Sequence, residues 1–236
     1  MVTTTTPEIL PTAHEDSSVI SKQRVTDHGE VLTGTREVNA MLDLVRQETE
    51  RIESRFLEPA CGNGNFLAEI LERKLRVVES RYGKSQLDYE RNAVLAVTSI
   101  YGIDILPDNV AACRARLFGI FDRSYTAQFK VTAKEECCAA VSYILERNIV
   151  HGDALSLKTV DGKSPIVFSE WSPVNGSQIK RRDFTFSGLI PGFLPSPELF
   201  PEPDLFSDLG EDVFIPKPQK DFPLVHFLKV HDVKPD

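Results

Sequence analysis

The sequence of 236 residues lacks any run of about 20 apolar residues, the length that a helix needs to cross a bilayer. Residues 1–21 are rich in threonine and have no apolar core of the kind found in a signal peptide. Cysteine is scarce, and its four residues form no Cys-x-x-Cys pair, so neither a zinc site nor a disulfide framework is indicated. We therefore expect a cytoplasmic protein with reduced cysteines and no bound metal.

An excess of positive charge is also missing. Lys and Arg number 27 against 35 Asp and Glu, which gives a net charge of −8. A broad nucleic-acid surface needs clustered Lys and Arg, so this chain by itself is not expected to carry one. The sharpest basic cluster is Lys180, Arg181 and Arg182, which leaves room for a local phosphate contact.

Composition divides the chain into three parts. Residues 1–23 have little apolar pattern and are predicted to be a disordered tail. Residues 24–187 alternate helical and strand patterns, which predicts one α/β domain. Residues 188–236 hold nine of the fifteen prolines, interleaved with phenylalanines and acids. We predict for them an extended arm that packs on another surface, such as a second subunit.

The most informative stretch is residues 55–67, RFLEPACGNGNFL. It is typical of the end of a buried strand, a glycine turn and the first turn of a helix that begins near Asn65. Gly62 and Gly64 allow a ligand to approach the backbone, and the unpaired N–H groups of the helix start point at the turn. Glu58 adds a carboxylate, which suits a ligand with a positive charge or amine donors. A structural turn without a ligand is the alternative.

Two aspartates follow predicted strands further along the chain. Asp104 ends the strand IYGID, where a carboxylate can accept hydrogen bonds from both ribose hydroxyls of a nucleoside. Its alternative role is to cap the next helix, which Asp108 could do equally well. Asp153 follows the strand NIVHG, and this pattern by itself is also a common turn.

Residues 58–67 resemble the first motif of the S-adenosylmethionine-dependent DNA methyltransferases that methylate the amino group of adenine. The closest likeness is to modification subunits of restriction–modification systems, whose pattern is roughly (D/E)-P-A-C-G-(S/N)-G-x-F-L. The strings at Asp104 and Asp153 resemble the second and third motifs, which bind the ribose and the adenine of the cofactor. The resemblance implies S-adenosylmethionine as cofactor and a Rossmann-like α/β fold, with a mostly parallel twisted sheet and helices on both faces. The residues that it assigns to the cofactor are Thr33, Glu58, Ala60, Cys61, Gly62, Gly64, Phe66, Asp104, Ile105, Asp153 and Ala154.

The segment HGEVLT, residues 28–33, resembles the motif that precedes the glycine turn and folds over the methionine end of the cofactor. The family commonly has an aromatic residue and a proline where this sequence has Leu32 and Gly34. Thr33 could still donate a hydrogen bond to a carboxylate. A capped amphipathic helix after a turn is the alternative interpretation.

The family's catalytic motif, Asn-Pro-Pro-(Tyr/Phe), occurs nowhere in this sequence. In the family, its Asn side chain and a proline carbonyl accept hydrogen bonds from the target amino group, and its aromatic ring stacks on the flipped base. After a predicted strand at residues 165–168, the expected place holds Glu170, Trp171, Ser172 and Pro173. These four residues are the candidate catalytic loop, and a surface loop anchored by one indole is the alternative.

The resemblance implies transfer of a methyl group from S-adenosylmethionine to an adenine amino group in DNA, within a restriction–modification or related defence system. DNA would be recognised through a separate subunit or domain, and a protein partner would bind the Pro-rich extension. Two alternatives stay open. One is a catalytically degenerate subunit that keeps the cofactor pocket and acts as a scaffold or regulator of a partner. The other is a methyltransferase with a substrate other than DNA.

Overall fold

A computed structural model describes residues 32–190 and 215–233 of the chain, together with Arg24 and Thr26. In this part, the helices are α1 (Thr35–Asp43), α2 (Arg46–Thr49), α3 (Asn65–Tyr82), α4 (Gln86–Thr98), α5 (Pro107–Phe129) and α6 (Glu135–Asn148). The strands in this described part of the chain are β1 (Phe56–Glu58), β2 (Ile100–Asp104), β3 (Ile149–His151), β4 (Val167–Pro173), β5 (Gln178–Thr185), β6 (Lys220–Asp221) and β7 (Val225–His226). None of these described helices is long and apolar enough to cross a bilayer.

The first three strands form a parallel sheet in the order β1-β2-β3. Phe56 pairs with Ile100 and Gly102 pairs with Ile149, so all three strands run in the same direction. Parallel neighbours need a crossover, which α3 and α4 supply between β1 and β2, and α5 and α6 between β2 and β3. Both crossovers advance the sheet in one direction, so the right-handed rule places all four helices on one face. The predicted α/β class with parallel strands is confirmed.

The helices of this layer form because they have buried apolar stripes, and α5 also has a proline in its first turn. Leu67, Leu71 and Leu75 of α3 are at most 3% exposed, and they recur at the four-residue spacing of one helix face. Helix α5 begins at Pro107, whose missing N–H costs nothing in the first turn of a helix. The helices α3 to α6 thus share one apolar core with the near face of β2.

The opposite face of the parallel sheet is covered by an antiparallel hairpin of β4 and β5. Tyr101 and Ile103 of β2 point to this face, where they pack in one cluster with Phe168 and Phe186. The rings of Tyr101 and Phe168 meet edge to face, with centroids 5.5 Å apart. The prediction of helices on both faces is therefore wrong for the described residues, because β strands occupy the second face.

Strand β4 runs against the direction of β1, β2 and β3. The residue before β4, Ile166, lies at the carboxyl edge of the sheet. A Cβ atom on Gly152, which follows β3, would come 2.6 Å from Ile166 Cδ1. Near the other end of β4, the indole N–H of Trp171 donates to Asn148 Oδ1 at 2.9 Å, at the amino edge where β3 begins. Strand β4 therefore crosses the face of the parallel sheet and does not extend the sheet as a fourth parallel strand.

The hairpin also differs from the sequence prediction, which placed a strand at residues 165–168 and a loop after it. The strand begins at Val167 and continues to Pro173. The turn contains Asn175 and Gly176, and Gly176 has a φ of 68°. Asn-Gly between two strands is a strong hairpin signal, because the turn needs positive φ. This local signal joins β4 to β5 and was missed in the sequence prediction.

The described part of the Pro-rich extension packs on this same chain. Residues 220–226 contribute β6 and β7, which both pair with β5. Phe222 and Phe227 are each 3% exposed in this contact. The predicted tail at residues 1–23 and the proline-rich stretch at residues 191–214 lie outside the described residues.

Lys74 of α3 is a fully buried amine. Its Nζ donates hydrogen bonds to the backbone oxygens of Ile52 and Ser54 and to Ser99 Oγ, and it lies 5.1 Å from the ring centroid of Phe56. These contacts tie the loop before β1 to α3 and to the residue that precedes β2. Burial lowers the pKa of Lys74 to about 7.

We expect this amine to make the protein more stable as the pH rises above neutrality. The unfolded chain keeps the Lys74 proton up to a pKa of about 10.4, so it binds more protons than the folded chain in this range. The free energy of unfolding should rise between about pH 7 and 8.5 by up to about 1.4 kcal/mol per pH unit. Lys74→Met keeps most of the apolar stem and should remove this rise. Denaturant titrations of both proteins across this range measure the effect, and an equal slope in the variant would assign it to another group.

Candidate cofactor-binding site

Three acidic residues stand at the carboxyl edge of the parallel sheet. Glu58 ends β1, Asp104 ends β2, and Asp153 lies two residues beyond β3. The Gly152 N–H donates to the backbone oxygen of Asp104 at 3.0 Å, which holds the turn after β3 beside β2. In open parallel sheets, ligands bind in the crevice outside this edge.

The turn after β1, residues 61–64, is named here the glycine loop, and it needs glycine at two positions. Gly62 and Gly64 have φ angles of 52° and 85°, in the left-handed region that side chains rarely adopt. A Cβ atom on Gly64 would also lie 2.6 Å from Cys113 Sγ. Helix α3 follows at once, and the N-terminal N–H groups of this 18-residue helix have no acceptor within the helix. The loop therefore presents bare backbone and N–H donors to the crevice.

The segment before α1 lies against the glycine loop. A Cβ atom on Gly62 would come 3.1 Å from Leu32 Cδ2. Asn65 Nδ2 donates to the backbone oxygen of Thr33 at 2.8 Å, and the Arg116 guanidinium donates to Asn65 Oδ1. The structure thus brings Thr33 to the glycine loop, with Leu32 where the family commonly has an aromatic residue.

Asp104 is held in one orientation by backbone and side-chain donors. Its carboxylate accepts from the N–H groups of Gly62 at 2.8 Å and Leu106 at 2.9 Å, and from Asn109 Nδ2 at 3.2 Å. Arg24 in turn donates to Asn109 Oδ1 at 3.0 Å. The side chain is only 8% exposed. A carboxylate anchored in this way at a strand end is ready to accept a hydrogen bond from a ligand with its remaining lone pair.

Two buried acceptor oxygens near the loop have no hydrogen-bond partner among the described residues, namely Glu58 Oε2 and Asn63 Oδ1. An unsatisfied buried acceptor costs about 1–3 kcal/mol, so each such atom needs an explanation. Burial, followed by the nearby Asp104 carboxylate, raises the pKa of Glu58 to about 7. These two oxygens therefore lack a hydrogen-bond donor, and the carboxyl groups of Glu58 and Asp104 stand close together at this edge.

Asp153 lies at the same edge, but its side chain forms a local turn. Its Oδ1 accepts from the Leu155 N–H at 2.9 Å. Hydrogen bonds from Ser156 and from the Leu155 backbone lower the pKa of this carboxyl. The turn is one of the two interpretations that the sequence leaves open for Asp153, and a cofactor role stays a prediction.

The other predicted cofactor residues surround the glycine loop and the ends of β2 and β3. Ala60 and Ile105 are exposed, Ile105 to 45%. Cys61 is the first residue of the loop, and it is buried. Phe66 packs against the helical core, and Ala154 packs against the cluster under the hairpin.

The four residues of the candidate catalytic loop are not brought to this edge. They lie in β4, where the Glu170 carboxylate pairs with Arg55 at 2.7 Å and with Arg182 at 2.8 Å. Arg55 precedes β1, so this cluster stands at the amino edge, at the opposite end of β1 from Glu58. The prediction of a loop that faces the base is wrong, because the hairpin carries these residues away from the crevice. The residues concerned are Glu170, Trp171, Ser172 and Pro173.

The basic cluster at residues 180–182 is compensated by acids of its own sheet. Ion pairs join Lys180 to Asp221, Arg181 to Asp183 and Arg182 to Glu170. A phosphate would have to displace these carboxylates. The structure therefore does not favour the phosphate contact that the sequence leaves open there.

Two residues near the glycine loop were missed in the sequence prediction. Asn63 stands at the (S/N) position of the first motif, so the pattern itself contained the signal for it. Asn109 lies in the first turn of α5, five residues after Asp104, and only the fold shows that its amide reaches the Asp104 carboxylate.

The fold and the site define an α/β protein with a glycine loop and anchored acids at the carboxyl edge of a parallel sheet. The family model of the MmeI DNA-methyltransferase domain matches residues 33–164, which is more than half of the chain. The chain therefore belongs to this family, one of DNA methyltransferases of restriction–modification systems. No curated protein and no solved structure shows significant similarity to the chain.

Proposed function

We propose that this chain binds S-adenosylmethionine at the carboxyl edge of its parallel sheet, in a Rossmann-like arrangement. The cofactor would supply an activated methyl group, and the residues of this chain would bind and orient it. Asp104 would accept from the ribose hydroxyls, and Asp153 from the adenine amino group. The glycine loop would lie along the cofactor, with Thr33 over its methionine end.

The observation that carries this proposal is the pair of unpartnered acceptors, Glu58 Oε2 and Asn63 Oδ1. S-adenosylmethionine carries a sulfonium and an ammonium group, so it brings positive charge and the donors that these two oxygens lack. A dinucleotide pyrophosphate would bring negative charge and acceptors to the same place, where Glu58 and Asp104 would repel it. The acidic pocket therefore favours the methyl donor over a nicotinamide or flavin dinucleotide.

We further propose that the methyl group is destined for an adenine amino group in DNA. The support is the near-complete first motif at residues 58–67, which resembles that of the adenine enzymes, together with membership of a DNA-methyltransferase family. With a net charge of −8 and a compensated basic cluster, the chain would depend on a separate subunit or domain to recognise DNA. The Pro-rich extension is the proposed contact for a protein partner.

A second candidate function is a cofactor-binding subunit that does not itself transfer the methyl group. The path of β4 favours it, because residues 170–173 lie at the amino edge and no Asn-Pro-Pro motif occurs in the sequence. Such a subunit would bind S-adenosylmethionine and support or regulate a partner.

Calorimetric titration with S-adenosylmethionine tests the shared part of both functions. We expect binding in the micromolar range, with a dissociation constant raised roughly 10- to 100-fold in Asp104→Asn, since one or two charge-assisted hydrogen bonds are lost. Asp161→Asn is the matched control, because Asp161 also accepts hydrogen bonds in a local turn, from Thr159 and Lys163, and no role toward the cofactor is proposed for it.

The labelled product then distinguishes the two candidate functions. Labelled cofactor incubated with unmethylated DNA should yield labelled adenine if the chain transfers the methyl group itself. Binding without transfer would support the cofactor-binding subunit, and label on a protein fraction would indicate a substrate other than DNA. The absence of any binding by the intact chain would refute the proposed cofactor.

A further inference from the structure

The outer edge of β1 carries no paired strand among the described residues. The Phe56 N–H donates to the Ser99 backbone oxygen at 2.9 Å, and in a parallel ladder alternate residues of a strand bond to the same neighbour. Phe56 and Glu58 thus face β2, so the N–H and C=O of Leu57 face away from the sheet. The Leu57 side chain is 43% exposed, on the same face as its buried partner Tyr101.

Such an edge is a template for one more strand, and the topology indicates which strand belongs there. In a doubly wound sheet of order 3-2-1-4-5-6, the first half is three parallel strands in the order found here, and the second half starts beside the first strand. In this chain, the next strand is β4, which pairs with β5 over the face of the sheet instead. The family match ends at residue 164, shortly before β4 begins.

We propose that the free edge of β1 docks a partner polypeptide that supplies the second half of the doubly wound sheet. Its first strand would run parallel to β1 and bond to the N–H and C=O of Leu57. Its carboxyl end would then lie beside Glu58 and the glycine loop, at the switch point where α/β sheets bind their ligands. This partner would bring the acceptor oxygens for the target amino group, which residues 170–173 do not bring to the crevice. The identity of the partner rests on the proposed function, whereas the free edge does not.

A second copy is the simplest alternative occupant, but it would not extend the sheet with a parallel strand. A two-fold axis at this edge would pair β1 with its own copy in antiparallel orientation. The carboxyl end of each β1 would then meet the amino end of the other, where Arg55 and Glu170 stand, and no strand of the copy would end beside the glycine loop. A parallel strand from a different polypeptide is the arrangement that completes the crevice.

Amide hydrogen exchange of the isolated chain tests whether the edge is free. We expect the Leu57 amide to exchange quickly, while the neighbouring Glu58 amide, which faces β2, is protected and serves as the internal control. Equal protection of both amides would show that another part of this chain already covers the edge, and it would overturn the proposal.

The docking itself can be measured with a defined probe. The probe is a fragment of a modification-subunit adenine methyltransferase that starts at the strand before its Asn-Pro-Pro-(Tyr/Phe) motif. We expect a one-to-one complex with the intact chain and at least a tenfold weaker one with Leu57→Lys, because a charged edge residue opposes strand addition. Leu87→Lys is the matched control, since Leu87 of α4 is similarly exposed at 48%.

Three results would overturn the docking proposal: no complex with the intact chain, equal affinity in Leu57→Lys, or a homodimer that Leu57→Lys dissociates. Binding of the fragment is measured without S-adenosylmethionine, so it does not depend on the cofactor. Fragment binding by a chain that fails to bind S-adenosylmethionine would refute the proposed function and leave the docking edge in place.

Discussion

Replacing Gly64 by alanine is expected to lower the free energy of unfolding by about 2–5 kcal/mol. Left-handed backbone costs a residue with a side chain about 1–2 kcal/mol, and Gly64 has a φ of 85°. The new Cβ would also lie 2.6 Å from Cys113 Sγ, and overpacking of a tight core costs about 1–3 kcal/mol more. Equilibrium denaturation with urea measures the sum. Because the same shift would deform the glycine loop, binding of S-adenosylmethionine should fall with it.

Two companion variants separate the backbone cost from the clash. Gly162 has a φ of 70°, and a Cβ atom added there would have no other atom within 4 Å, so Gly162→Ala should cost only the backbone part. In a Cys113→Ala background, the nearest remaining side-chain contact of residue 64 would be Cβ at 3.5 Å, an ordinary distance. Gly64→Ala should then cost about 1–3 kcal/mol less than in the native background. Equal costs at Gly64 and Gly162 would show that Cys113 does not constrain the loop.

Binding of S-adenosylmethionine is expected to strengthen by up to about tenfold for each pH unit between about pH 5 and 6.5. The pKa of Glu58 is raised to about 7 in the free protein by burial and by Asp104. In this range the carboxyl is mostly protonated, and a cationic ligand favours its ionised form. Binding should therefore release up to about one proton, which calorimetry in buffers of different ionisation enthalpy would detect. Glu58→Gln should bind more weakly and lose both the pH dependence and the proton release.

In the protein without ligand, ionisation of Glu58 should lower the free energy of unfolding as the pH rises, whereas it strengthens cofactor binding. Because the folded pKa of Glu58 lies above its unfolded value, its contribution to stability is fully present below about pH 4.3 and is lost as the pH rises through about 7. Glu58→Gln removes this loss, so the difference in unfolding free energy between variant and native protein should grow in that window. A difference that does not vary with pH would mean that Glu58 ionises normally in the folded chain.

Much of the site follows from short stretches of sequence, because the signals for it are local. Residues 58–67 specify a strand end, a turn that requires positive φ at two glycines, and a helix that begins at Asn65. Pro107 marks the start of α5, and the apolar string before Asp104 marks β2. Each feature depends on neighbours within a few residues, so the backbone preferences of those residues are sufficient to predict it.

Only the tertiary structure decided where the rest of the chain goes. Whether the strand after residue 164 joins the parallel sheet or crosses its face depends on which strand it pairs with. It pairs with β5, to which the Asn175-Gly176 turn connects it. The same packing carries Trp171 to Asn148 at the amino edge. The support of Asp104 by Asn109, and the unpaired oxygens of Glu58 and Asn63, likewise arise from contacts between separate elements. By itself, the sequence determined the glycine loop and the acids around it; strand pairing, which is long-range, decided that β4 crosses the face of the parallel sheet and does not join it.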